Sequence, residues 1–140
     1  MKAKHTPGPW RWEFNHKHKS LHLVGGVPTY DLTIMEPIRW GMNGGTLQFR
    51  DTAHDGVNIM HKLHDRADWT EPFENREHHV KWCANIVHPD ARLMAAAPDL
   101  LEALKLCAAV CSGATLSKSQ LVRALEHAQA ALKKATGDSQ

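Results

Sequence analysis

Hydrophobic and polar positions follow two different rules in the two halves of this chain. In the first sixty residues they alternate over short runs. "WRWEF" (Trp10 to Phe14), "SLHLVGG" (Ser20 to Gly26) and "YDLTIM" (Tyr30 to Met35) read as half-buried strands closed by turn residues. "NGG" at Asn43 to Gly45 precedes "TLQFR" (Thr46 to Arg50), and Asn-Gly is a strong tight-turn signal. An antiparallel meander of four or five strands follows from the short spacings. "VNIM" (Val57 to Met60) fits either a last strand or a helix start. Residues 61–80 are polar, rich in histidine and carry Pro72, which predicts a long surface loop.

From residue 81 onward, to about 136, the expectation is helical. Leu93, Ala97, Leu100, Leu104, Cys107 and Cys111 recur in steps of 4, 3, 4, 3 and 4, and the phase passes unbroken through Pro98. Pro98 therefore either opens a new helix at its first position or sits inside one bent helix. "LSKSQL" restarts the helix with a Ser117/Gln120 capping box. The second seam is Leu121, Leu125, Ala128, Leu132 and Ala135, with Lys133, Lys134 and Gly137 as C-terminal signals. Gly113 in the connection makes the pair an antiparallel hairpin. Its seams either pack on the sheet and on each other, or place part of an alanine-rich surface between subunits. The pattern as a whole predicts one α+β domain spanning residues 1–140.

Composition narrows the function classes. With 42% hydrophobic and 23% charged residues among 140, this is an ordinary globular chain. A net charge of +2 with no Lys/Arg block argues against a nucleic-acid partner. No run resembles a signal peptide or a membrane span, and three cysteines (Cys83, Cys107, Cys111) suggest no disulfide framework. The expected compartment is the cytoplasm.

Eleven histidines raise the question of a metal. "HKLHD" offers His61, His64 and Asp65, with His78 and His79 one loop later, a set of imidazole and carboxylate donors without HExxH or CxxC spacing. Cys107 and Cys111 lie four apart in the apolar seam and read as small core residues. Cys83 with His79 draws a Cys–His pair that has no nucleophile motif around it, and there is no GxSxG. The glycines at 25, 26, 44 and 45 match neither a P-loop nor a dinucleotide fingerprint. The pattern thus supplies no catalytic residue and implies no cofactor.

Binding has firmer footing. Five tryptophans are many for this length, and Trp69 stands in polar surroundings, where an exposed indole offers a stacking surface. Trp82, Asn85, Arg92 and Arg123 are ligand-binding candidates on chemical grounds. They offer a stacking ring, an amide that reads a heterocycle edge, and guanidinium groups that grip phosphate.

Two segments carry a resemblance. "HTPGPWRWE" (His5 to Glu13) and "DARLMAAAPDLLEALK" (Asp90 to Lys105) resemble a family of small phage and prophage proteins. Its members begin with an HTPGPW-like segment and carry an ARLIAAAPDLLEAL-like segment before a final helix. The organisation is also similar to phage anti-defence sponges of the Thoeris type, which capture cyclic ADP-ribose signals in pockets between subunits. That resemblance implies a homo-oligomer in the infected host cytoplasm that holds a cyclic nucleotide messenger without cleaving it. Two other readings stay open: a phage inhibitor that binds a host defence protein directly, and a metal-dependent phage enzyme using the loop histidines.

Overall fold

In the computed structural model, residues 5–27, 29–40, 42, 44–72, 83–113 and 115–137 are described. The fold is α+β, and the chain forms two compact units, residues 2–87 and 88–140.

The first unit is built on a five-stranded antiparallel meander, with strands in chain order: β1 (Trp10–Asn15), β2 (Ser20–Val27), β3 (Tyr30–Trp40), β4 (Gly44–Arg50) and β5 (Met60–Lys62). The undecided "VNIM" thus contributes only Met60 to a strand. A register shift in the β2–β3 ladder pairs Leu23 with Met35 and Val24 with Thr33, leaving Ile34 as the extra residue. The bulge turns Ile34 fully inward, so Leu23, Val24, Ile34 and Phe49 form the buried core. Trp12 and Phe14 on the edge strand β1 remain exposed, with Leu21 opposite Phe14.

The "HTPGPW" segment is fastened onto this sheet. Thr6 is buried; its hydroxyl accepts from the Arg50 guanidinium at 2.9 Å, and its carbonyl accepts from the Trp10 indole at 2.9 Å. Gly25, opposite Trp10 in the ladder, makes this seat: a Cβ there would lie 2.5 Å from the Pro7 carbonyl oxygen and 3.0 Å from Thr6 Cγ2. The Gly8–Pro9 peptide is cis. Across the edge, Arg11 holds three strands together by pairing with Asp31 at 2.7 Å and donating to the Gly26 carbonyl at 2.8 Å.

Residues 61–80 are not one unbroken loop. After β5 come two 3-10 turns, Leu63–Asp65 and Ala67–Trp69, then β6 (Thr70–Pro72), which pairs antiparallel with β7 (Cys83–Ile86). Residues 73–82 lie outside the described residues. The expectation of helix from residue 81 is corrected here, because Cys83–Ile86 is a strand and the first helix starts at Pro89. The reason is local. His88 precedes a proline, is held extended at φ −60, ψ 134, and its Nδ1 accepts from the Asp90 amide, capping the helix that Pro89 opens.

The second unit is a hairpin of α1 (Pro89–Cys111) and α2 (Lys118–Thr136). The helices run antiparallel: near the start of α1, the Arg92 guanidinium fills the space that a Cβ at Gly137 would need, and Asp99 pairs with Lys134. α1 is one helix with Pro98 inside it, not two helices meeting there. Pro98 removes the bond to the Met94 carbonyl, a cost of about 3 kcal/mol that the helix-forming residues on both sides and the packing of α1 offset. At α2, Ser117 and Gln120 make the reciprocal capping box, and Gly137 closes the helix at φ 72.

Leu93, Leu100, Cys107, Ala128 and Ala135 of the expected seam are half-buried, but Ala97, Leu104, Leu125 and Leu132 give way to their alanine neighbours. Ala96, Ala103, Ala124 and Ala131 are the buried apolar residues between the helices, while Leu104, Leu121, Leu125 and Leu132 are exposed. Periodicity marks an apolar stripe more than one residue wide. The side with the smallest residues becomes the contact, because it lets the two backbones approach most closely.

Candidate functional site

Among the described residues, a constellation of polar and aromatic groups lies where β4 and β5 leave the sheet. β4 ends by delivering Arg50 inward and Asp51 to the rim. The Asp51 amide donates to the Ile59 carbonyl at 2.7 Å, closing the connection to β5, and its carboxylate accepts from the Ala53 amide at 3.0 Å. This Asx turn brings His54 back toward the same carboxylate, with 3.8 Å between Nδ1 and Oδ2. His61 comes from β5, and its Nε2 stands 3.5 Å from that oxygen.

Arg66, between the two 3-10 turns, completes the group. It grips Asp68 through two parallel bonds, Nε to Oδ1 at 2.8 Å and Nη2 to Oδ2 at 2.7 Å, and reaches Asp51 at 3.5 Å through Nη1. Its Cζ lies 3.9 Å from the centre of the Trp69 ring, so the guanidinium covers that indole. The His61 ring meets Trp69 edge-on at 5.9 Å.

The electrostatics follow from these contacts. Asp51 is held below the ordinary 3.8, first by the Ala53 amide, against some desolvation, and then by the charges of Arg66, His54 and His61. The bond from Arg66 lowers the Asp68 carboxyl and, reciprocally, raises Arg66 itself. Asp51 and Asp68 thus both stay ionised at neutral pH and fix Arg66 in one plane. The result is a rigid cationic plane on an aromatic floor, with two histidines beside it on a common carboxylate.

The candidates named from the sequence are placed as follows. Trp69 is correctly in a polar environment but is 7% exposed, because Arg66 covers its face and His61 its edge; the stacking surface is Arg66 rather than the indole. Trp82 lies outside the described residues, as do His78 and His79. Asn85 is exposed on β7, where its amide donates to Glu71 at 3.3 Å. Arg92 sits against the end of α2, whereas Arg123 is near its start. Fourteen residues of helix, about 20 Å at 1.5 Å per residue, separate the two cations, so they do not form one grip.

Of the proposed metal donors, His61 turns to Asp51, while His64 faces its neighbour Asp65 at 3.4 Å. Among the described residues no group of three His, Cys, Asp or Glu side chains is arranged to hold a metal ion. Sequence reading did not single out Asp51, His54 or Arg66. The signal was available in "RADW", which places an arginine, its carboxylate and a tryptophan within one turn.

A family model described as Salmonella phage P22 protein Y8K6 matches residues 1–139, and the chain belongs to that family. Neither the curated proteins nor the solved structures contain a match. Among the described residues no helix is long and apolar enough to cross a membrane.

Proposed function

We propose that this member of a phage protein family is an anti-defence binding protein that captures a nucleotide second messenger of the cyclic ADP-ribose class and does not turn it over. The observation that carries the reading is the Arg66 guanidinium, clamped flat on Trp69 by Asp51 and Asp68. A planar cation with one side on an indole offers its other side to a heterocycle, and Arg66 keeps 24% of its side chain exposed. Because its donors are engaged by carboxylates, Arg66 acts by stacking, and anion contact falls to His54 and His61 at the rim. Preorganisation of this kind raises affinity by lowering the ordering cost of binding. The ligand class itself comes from the resemblance to Thoeris anti-defence sponges.

The test is to incubate the purified chain with cyclic ADP-ribose isomers, remove free ligand, release bound material by heat and identify it by mass spectrometry. Intact ligand is expected from the native protein, with at least about a tenfold loss of retention in R66A, as for a central anchor residue. Recovery of a cleaved product would make the protein an enzyme and sink the reading. So would retention of nothing, or retention unchanged by R66A.

A further inference from the structure

The hairpin of residues 88–140 exposes a continuous leucine face. Ala103 is followed by Leu104, Ala124 by Leu125 and Ala131 by Leu132, so in both helices the leucine row lies one residue, about 100°, beyond the alanine row. Equal rotations in antiparallel helices bring both rows to the same side of the hairpin. Leu101, Leu104, Leu121, Val122, Leu125 and Leu132 form that side, each between 43% and 66% exposed. The groove on the opposite side has charged residues, Asp99, Glu102, Glu126 and Lys134, around a floor that includes Ala130 and Ala131.

We infer that the leucine face is the contact between two copies of this chain, joined hairpin to hairpin as a four-helix bundle. A helix of such a bundle packs against two neighbours and needs two adjacent apolar seams. Both helices here carry two, the alanine seam used within the hairpin and the leucine seam beside it. Leu125 and Leu132 are one heptad apart, and Leu104 lies one heptad from Ala97 and Cys111, the repeat that packs knobs into holes.

The area fits a second copy. Taking on the order of 180 Å² for a fully exposed leucine, the six side chains present roughly 500 Å² of apolar surface, above an ordinary single-residue scatter. A stable interface takes about 800 Å² from each partner, and the rim supplies the rest. The inference is independent of the ligand reading, because Arg66 and Trp69 belong to the other unit.

Sedimentation of the full chain over a micromolar concentration series tests it. The native protein should run at twice the 15.7 kDa chain mass, and L104E/L125E should weaken the dimer at least about tenfold while keeping helical ellipticity. Should that variant fail to fold, spin labels on Q129C in a C83S/C107S/C111S background provide the second measurement. Dipolar coupling between labels on two copies supports the bundle, and its absence in a dimer overturns it. A native chain that is monomeric throughout the series also overturns it, as does a dimer that L104E/L125E leaves intact. Binding of a host protein in place of a second copy, lost in the same variant, would assign the face to that protein and overturn it too.

Discussion

The two units of this chain bury different things. Residues 2–87 bury large side chains, Leu23, Val24, Ile34, Phe49 and Trp69, together with Thr6 and Arg50 in mutual contact. Residues 88–140 fully bury only four alanines among their apolar residues, hold Leu93, Leu100 and Leu106 half-buried, and leave Leu101, Leu104, Leu121, Leu125 and Leu132 exposed. Burial of a leucine contributes about 1.5–3 kcal/mol and an alanine much less. The sheet unit therefore holds most of its stabilisation internally, while the hairpin keeps much of its apolar surface in reserve for another contact. An apolar stripe can thus build either a core or an interface, depending on which of its rows the smallest residues occupy.

That contrast can be broken most forcefully from the sheet side. Phe49 is at the centre of the first unit, and F49A is expected to cost about 3–5 kcal/mol through lost burial and the cavity left behind. All five tryptophans lie between residues 10 and 82, so fluorescence follows this unit, while far-UV circular dichroism is dominated by the two helices. A denaturant series should show the fluorescence transition shifted well beyond the ellipticity transition. Coincident shifts of equal size would mean that the two units unfold as one.

A103L addresses the hairpin with a smaller expected effect. Ala103 has no room for added methylenes, and overpacking costs about 1–3 kcal/mol. The ellipticity transition should move to lower denaturant and the fluorescence transition should stay. If A103L is neutral or stabilising, the alanine seam is not the contact between the helices.

The smallest expected effect concerns pH. Asp51 has a folded pKa below its ordinary 3.8, so its contribution is fully present above that value and is lost as pH falls through the depressed folded value. D51N should lower stability near neutral pH by about 1 kcal/mol and flatten the acid limb below pH 4. An unchanged acid limb would show that Asp51 does not organise the rim.

Much of the architecture was legible in the sequence, and the failures have definite physical causes. Alternation located the first four strands, and the capping box and Gly137 located α2, because each is a local signal with a local partner. The β7 strand was missed because its pairing with β6 spans the residues between Pro72 and Cys83, which no local pattern reveals. Part of the seam, Leu93, Leu100, Cys107, Ala128 and Ala135, was read correctly; Leu104, Leu125 and Leu132 were taken in place of Ala103, Ala124 and Ala131 because leucines dominate a hydrophobic period, whereas close packing selects alanines. The rim cluster escaped notice for the opposite reason. Asp51, His54, His61 and Arg66 are ordinary surface types that become a site only when a turn, a strand and two short helical turns converge.

The seat of Thr6 has one more consequence. The HTPGPW segment is a local run of letters, but its place in the fold depends on the missing side chain at Gly25, directly across the ladder from Trp10. Motif and socket form a two-part signature. A chain carrying the segment without a glycine at that partner position must seat its N-terminal residues differently.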